Sequence, residues 1–343
     1  MIDEKPKKKN TPLIALKHVD RSFDTVDGTI PVLQDINLEI YPREVLCLVG
    51  ESGCGKTTTG KIIAGLLEQS AGDVLVNGAP LDDYPRRERA ELRRGMQIVH
   101  QDPFASLNPS HTIGQILSFP LKRHKMVSGR AELRRRIWEL LDLVDLTPPG
   151  DIVDKYPHQL SGGQRQRVSI ARALTVEPKL IVADEAVSMV DVSIRVGLLK
   201  MLHNLSEQLD LAVVFITHDL ALAKYFAWNG RLAVMYLGRV VEIGRTPDII
   251  RNPAHPYTRA LLSAVPEADP TLTRKKEMMR LRSDAIPSLL DMPMGCAFHP
   301  RCPFYQEGVC DTHLPELQSP ESHQQQVACT PLQRMGDLVL YES

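Results

Sequence analysis

Residues Gly50-Glu51-Ser52-Gly53-Cys54-Gly55-Lys56-Thr57, with Thr58 behind them, constrain this chain more than any other stretch. They follow an apolar run at residues 45–49 and open a helical pattern predicted to reach about Leu67. A strand, a glycine-rich loop and a helix in that order form the setting of a phosphate loop. The glycines let backbone N–H groups curl around an anion, Lys56 brings a mobile positive charge, and Thr57 offers a hydroxyl to Mg2+. The expected fold class is therefore α/β.

A length of 343 residues and 43% hydrophobic content allow one large and one small domain with real cores. Basic and acidic side chains nearly balance, 41 against 42, so no net field draws the protein to nucleic acid. The Lys5, Lys7, Lys8, Lys9 run reads as part of a solvated, disordered tail over residues 1–11. No stretch approaches 18 uninterrupted apolar residues and the N-terminus lacks the apolar segment of a signal peptide, so a cytoplasmic location is expected.

Residues 13–19 and 38–40 are predicted strands of an antiparallel layer, with turn chemistry at Asp27-Gly28 between them. Phe23 in that layer suits stacking on a purine base, and equally suits a small core. Residues 72–78 read as a strand ending in an Asn77-Gly78 turn. After a short strand at 97–99, Gln101 carries an uncharged amide able to ligate Mg2+ or orient a water. The pattern from 104 to about 172 is mainly helical and charged, and is expected to form an inserted helical subdomain. Its Arg134-Arg135-Arg136 run reads as a solvated face.

Leu160-Ser161-Gly162-Gly163-Gln164 precedes a helix predicted to end at Glu177-Pro178, and a Ser-Gly-Gly there presents N–H donors to a second anion. The apolar strand at 180–183 ends in Asp184-Glu185, at a sheet edge where ligands bind. Asp184 can hold Mg2+ and Glu185 can polarise a water. Asp191 opens a helix whose predicted core positions are Val192, Val196, Leu199, Leu202, Leu205 and Leu209. The next buried strand, 213–217, delivers His218 as a donor toward a terminal phosphate. Residues 231–244 read as a hairpin turning at Leu237-Gly238.

In this order and spacing the elements resemble the ATP-binding subunit of an ABC transporter, which implies an α/β fold with a P-loop NTPase (RecA-like) core, an antiparallel β layer, the inserted helical subdomain and a small C-terminal Cys-rich extension. The resemblance matches residues 50–57 to the Walker A motif, Gln101 to the Q-loop, residues 160–164 to the signature, Asp184 and Glu185 to Walker B and its catalytic Glu, Asp191 to the D-loop and His218 to the switch histidine. It implies that Lys56, Ser52 and the loop amides hold ATP, with Thr57, Gln101 and Asp184 around Mg2+. Glu185 would position water and His218 would support the terminal phosphate. It also implies that two cassettes pair head to tail, so Ser161, Gly162, Gly163 and Gln164 face the partner's nucleotide. The departure is Ala186-Val187-Ser188-Met189-Val190, where the family usually shows a Pro, a small hydroxyl residue and Ser, Ala, Leu.

Residues His255-Pro256-Tyr257-Thr258-Arg259-Ala260-Leu261-Leu262 and Gly295-Cys296-Ala297-Phe298-His299-Pro300-Arg301-Cys302-Pro303 resemble the C-terminal extension of dipeptide and oligopeptide importer ATPases. Four of the six cysteines lie here, Cys296, Cys302, Cys310 and Cys329, with 5, 7 and 18 residues between them. Clustering of this kind favours a metal site over disulfides in a reducing compartment, held by irregular loops with zinc and iron–sulfur both open. The resemblance implies a [4Fe-4S] cluster; His299, His313 and His323 read as solvated loop histidines, with stand-in ligation as the alternative. The expected layout is a cassette over 12–254 and an extension over 255–343. The resemblance implies as partners a second, homologous ATPase, two transmembrane permease subunits and an extracytoplasmic solute-binding protein, with this chain peripheral on the cytoplasmic face of the inner membrane. Di- or oligopeptides lead as cargo, and nickel chelates, glutathione and oligosaccharides use similar ATPases. A soluble ABC ATPase working on nucleic acid or ribosomes is the alternative from another class.

Overall fold

The computed structural model describes residues 11–26, 28–265, 278–320 and 324–335. The basic tail up to residue 10, Asp27 of the expected turn, residues 269–277 of the polar stretch, and His323 lie outside the described residues. The chain runs β1 (Ile14–Thr25), β2 (Gly28–Ile40), β3 (Val45–Val49), α1 (Lys56–Ile63), β4 (Ala71–Val76), β5 (Ala79–Pro80), α2 (Arg86–Arg94) and β6 (Met96–Val99). Four helices follow: α3 (Pro103–Ser106), α4 (Ile113–Arg123), α5 (Arg130–Leu143) and α6 (Gly150–Val153). Then come α7 (Gly162–Leu174), β7 (Leu180–Asp184), α8 (Val192–Gln208), β8 (Ala212–Thr217), α9 (Leu220–Phe226), β9 (Arg231–Tyr236) and β10 (Arg239–Arg245). The remaining elements are α10 (Thr246–Arg251), α11 (Pro256–Ala264), β11 (Gln326–Val327) and α12 (Thr330–Met335).

Two sheets result. The antiparallel one has the order β2-β1-β4-β5, and the larger one the order β11-β10-β9-β3-β8-β7-β6. Within the larger sheet β9, β3, β8, β7 and β6 are mutually parallel, so their carboxyl ends share one edge. Strands buried on both faces read as continuous apolar runs, as β3, β7 and β8 do. Side-chain alternation then splits them between two cores. Leu46 and Leu48 of β3 pack with α1 and the antiparallel sheet, whereas Cys47 and Val49 face the helices of the other side.

α1 stops at Ile63, short of the predicted Leu67, because Gly65 adopts φ +67. Leu66 N–H bonds to Lys61 O and Gly65 N–H to Ile62 O, the paired bonds of a left-handed glycine terminator. Leu66 is left largely exposed. In α8, Leu199, Leu202 and Leu205 are buried as expected, but Val196 and Leu209 are exposed, and Leu198 and Met201 take the other core positions. The core stripe therefore lies slightly round the helix from the predicted one.

The C-terminal segment joins the main sheet. β11 pairs antiparallel with β10, and Glu242 of β10, fully buried, accepts from the N–H groups of Ala254 at 2.8 Å and His255 at 3.0 Å and from Gln325 Nε2 at 3.2 Å. No cation lies among those donors, and burial raises the Glu242 carboxyl above its usual range. Among the described residues no helix is long and apolar enough to cross a membrane.

Candidate functional site

The loop between β3 and α1 has a backbone that few sequences can adopt. Gly50, Gly53 and Gly55 take φ +153, +81 and +101. A Cβ at Gly50 would stand 2.2 Å from Met235 O, so glycine is required there for space as well as conformation. Ser52 and Gly53 form the exposed tip, Cys54 and Gly55 are buried, and Thr58 is half-buried on the first turn of α1. Lys56 is almost fully buried, and its Nζ donates to Gly50 O and Glu51 O, each at 2.8 Å, with Cys54 Sγ 3.7 Å away. The ammonium thus spans the loop from below, where it can swing to an incoming anion.

Helix α1 and the ends of β6, β7 and β8 deliver the remaining polar groups. Thr57 Oγ1 donates to Asp184 Oδ1 at 3.1 Å, tying α1 to the end of β7. Burial raises the Asp184 carboxyl, the Thr57 bond lowers it, and the Glu185 charge raises it again. Glu185 has φ +46, and its N–H bonds to Ile216 O of β8. One carboxylate oxygen, Oε2, accepts from Gln101 Nε2 at 3.0 Å, while Oε1 lies 3.1 Å from His218 Nδ1. Gln101 follows β6 and His218 follows β8, so this carboxylate is bracketed by side chains from both neighbouring strands. Thr57, Gln101, Asp184, Glu185 and His218 are therefore brought together as one constellation beside the loop.

Ser161, Gly162, Gly163 and Gln164 are organised separately. Ser161 Oγ accepts from Gln164 N–H at 3.3 Å and Gln164 Oε1 from Ser161 N–H at 3.0 Å, a capping box on α7. A Cβ on Gly163 would come within 2.8 Å of Ile194 Cγ2, which sets α7 tightly on α8. Among the described residues no hydrogen bond or ion pair joins these four to the 50–57 loop. Asp191, exposed, precedes α8, and its carbonyl takes the N–H groups of Ile194 and Arg195.

The departing segment 186–190 has its own support. Arg195 Nε donates to Val190 O at 3.0 Å and Nη2 to Ser188 O at 3.1 Å, while Ser188 Oγ returns to Glu185 O at 2.9 Å. Ala186, Val187 and Val190 are buried and Met189 is exposed. Phe23 lies on β1 with the Arg21 guanidinium 4.5 Å from its ring centroid, so one face already carries a cation.

Residues that sequence reasoning left without a role complete the loop. Glu51 turns its carboxylate to Arg301, and its N–H donates to Tyr257 Oη at 2.9 Å. Both partners stood inside the tail motifs quoted above, but no local pattern ties them to a loop 206 and 250 residues away.

Cys296, Cys302, Cys310 and Cys329 all line one cavity of about 20 Å3, together with His255, Phe298 and His299. Gly295, at φ +70, brings its backbone so close to Cys310 that a Cβ would stand 2.4 Å from Cys310 O. Burial pushes every one of these thiols up, Cys296 to about 11 and Cys329 to about 12. Backbone N–H groups oppose that, from Phe298 and His299 toward Cys296, Phe304 toward Cys302, Gln306 toward Cys310 and Leu332 toward Cys329. Donors aimed at sulfur stabilise thiolate, which is the ligating form. As the side chains stand, no group of three or more His, Cys, Asp or Glu among the described residues is set to hold a metal ion. His313 bonds to Thr312, and His299 Nδ1 lies 3.0 Å from Cys296 O.

Comparison with known proteins finds two family matches along the chain. The family described as "ABC transporter" matches residues 33–188, and that described as "Oligopeptide/dipeptide transporter, C-terminal region" matches residues 241–310. A putative peptide import ATP-binding protein of Brucella ovis is 43% identical over 307 residues, 90% of this chain and 94% of that protein. The oligopeptide transport ATP-binding protein OppF of Salmonella typhimurium is 43% identical over 275 residues, 80% of this chain and 81% of that one. Among solved structures, the post-hydrolysis dimer of the ATP-binding cassette MJ0796 bound to ADP and Pi superposes with a TM-score of 0.60 at 29% identity. It covers 68% of this chain and 98% of that chain.

Proposed function

This chain belongs to the ABC transporter ATP-binding proteins of the peptide importer kind, and from that premise we propose that it is the ATP-hydrolysing subunit of an importer of di- or oligopeptides. The observation that carries the reading is Glu185, held between Gln101 and His218 beside the Thr57–Asp184 pair at the mouth of the loop. A carboxylate there has lone pairs for an attacking water, and its two brackets report the state of neighbouring elements.

The roles follow from position. Lys56, Ser52 and the amides of Gly53, Cys54, Gly55, Lys56, Thr57 and Thr58 hold the phosphates, and Phe23 lies against the base. Glu185 accepts a hydrogen bond from the water that attacks the terminal phosphorus, and His218 donates to the oxygen charge that grows as the bridging bond breaks. Thr57 and Asp184, with Gln101, would hold Mg2+, which neutralises charge on the phosphate oxygens. A site with so few protein oxygens suits an ion that keeps waters and substrate phosphates as its other ligands. Ser161, Gly162, Gly163 and Gln164, with the Gly162 and Gly163 N–H groups left outside the capping box, serve the nucleotide of a second, homologous ATPase, which makes each loop half of a composite site. Asp191 and the Arg195-held segment before it lie at that contact. Residues 12–254 act as the cassette and 104–172 as the helical subdomain that meets two permease subunits at the inner membrane. An extracytoplasmic binding protein selects the cargo.

The four tail thiols suit a [4Fe-4S] cluster. Cys302, Cys310 and Cys329 are buried and Cys296 half-buried, all four share one cavity, and each receives at least one backbone N–H donor, which fits an anionic four-sulfur ligand set. Cys296, Cys302, Cys310 and Cys329 would hold it as a staple for an extension (residues 255–343) with little core of its own. Zinc is the alternative occupant, and metal analysis separates the two.

The test is Glu185→Gln. It removes the water's acceptor and keeps the phosphate cradle, so turnover is expected to fall at least about a hundredfold with ATP affinity within about threefold. Unchanged hydrolysis in that variant would refute the assignment.

A further inference from the structure

The phosphate loop carries an acidic side chain, Glu51, one residue into a cradle meant for a polyanion. Every polar group of that residue is committed. Its N–H donates to Tyr257 Oη at 2.9 Å, its carbonyl accepts from Lys56 Nζ at 2.8 Å, and its carboxylate takes both Arg301 arms, Nη1 to Oε2 at 2.8 Å and Nη2 to Oε1 at 3.0 Å. Arg301 is itself buried, its side chain 7% exposed, and leans on Tyr236 Oη at 3.4 Å. Tyr236, Tyr257 and Phe298 close an aromatic box, with ring centroids 4.6, 5.3 and 5.4 Å apart.

A buried ion pair adds little net stability, because desolvation offsets the attraction, so an apolar pair of like volume would serve packing as well. What the pair does supply is neutrality. Alone, the Glu51 charge would repel the triphosphate across a short, half-buried gap where screening is weak. Paired with a planar guanidinium in two-point contact, it presents almost no net field. We propose that Arg301 and Tyr257, carried by the C-terminal segment, are positioning residues for ATP binding: Arg301 cancels the Glu51 charge and both fix the first turn of the phosphate loop. Arg301 adjoins Cys302 in the chain and its N–H bonds to Phe298 O inside the 296–302 turn. The thiol-lined segment thereby reaches the nucleotide site through one side chain.

This inference rests on the reading that residues 50–57 bind ATP, so Lys56→Ala is the benchmark. Binding of a fluorescent ATP analogue is measured with the full chain, alongside thermal melting, for wild type, Lys56→Ala, Arg301→Ala, Arg301→Lys, Glu51→Gln and the Arg301→Ala/Glu51→Gln double variant. Arg301→Ala is expected to weaken binding about tenfold at low salt, and less as salt rises. Adding Glu51→Gln is expected to restore affinity to within about threefold of wild type, a rescue that a merely structural role would not produce. Should Arg301→Ala fail to fold, two folded variants decide. Glu51→Gln alone is expected to bind at least as tightly as wild type, and Arg301→Lys to lie between wild type and the tenfold loss. Wild-type affinity in Arg301→Ala, an unrelieved loss in the double variant, or weaker binding by Glu51→Gln alone overturns the proposal. If Lys56→Ala binds as well as wild type, the ATP reading itself fails and this inference falls with it.

Discussion

At the scale of residues, chemistry is concentrated in single atoms whose neighbours are already in place. The His218 ring lies 3.1 Å from Glu185 and is exposed toward the loop's mouth, where it can turn from the carboxylate to a phosphate oxygen. His218→Ala is expected to lower turnover about a hundredfold while shifting nucleotide affinity by less than about threefold, since a donor to developing charge acts on the transition state. Parallel binding and phosphate-release assays check it, and a pure affinity defect would make the histidine structural. Gly50→Ala tests the loop's backbone. With a Cβ 2.2 Å from Met235 O at φ +153, the substitution is expected to cost about 2 kcal/mol or more in unfolding experiments and to abolish ATP binding.

At the scale of elements, docking of the C-terminal segment is a balance of buried polar groups. His255 begins α11, its Nδ1 accepts from Tyr257 N–H at 3.0 Å, and burial lowers it from its usual 6.5 to about 3. A histidine held neutral in the fold contributes stability that is complete above pH 6.5 and is lost as pH falls toward 3, because the unfolded chain takes the proton first. Each pH unit in that window is worth on the order of 1 kcal/mol. His255→Asn keeps a capping acceptor without the titration, so its melting temperature is expected to vary less between pH 6.5 and 4.5 than wild type's; an identical slope would contradict this. Elements of this kind differ in how far they were legible from sequence. Residues 50–57, 184–185 and 218 were readable because a strand end and its adjoining loop carry both fold and function within a few positions. The extents of α1 and the core stripe of α8 were missed, since Gly65 acts through φ and Val196 is exposed by packing round the helix. Arg301 and Tyr257 were legible as residues of the tail motifs but not as contacts, and Glu242 was not singled out at all, because their partners lie far along the chain or depend on burial.

At the scale of the whole molecule, the larger sheet unites the cassette and the C-terminal segment, and the chain offers one phosphate loop and one capped Ser-Gly-Gly that do not meet within it. An isolated chain is therefore expected to bind ATP yet hydrolyse it slowly, at least about tenfold below the assembled complex, with phosphate release per chain as the readout. Anaerobically purified protein is expected to be brown and to hold about four iron atoms per chain, and Cys302→Ser to lose most of them; colourless, iron-free protein would remove the cluster. The most direct test of the central claim uses the complex of this chain with the proposed partner ATPase, permease subunits and peptide-loaded binding protein in lipid vesicles. Phosphate release is expected to rise several-fold when peptide is supplied, with peptide accumulating inside, and both are expected to vanish when this chain carries Glu185→Gln. ATP hydrolysis indifferent to peptide and to that substitution would contradict the account.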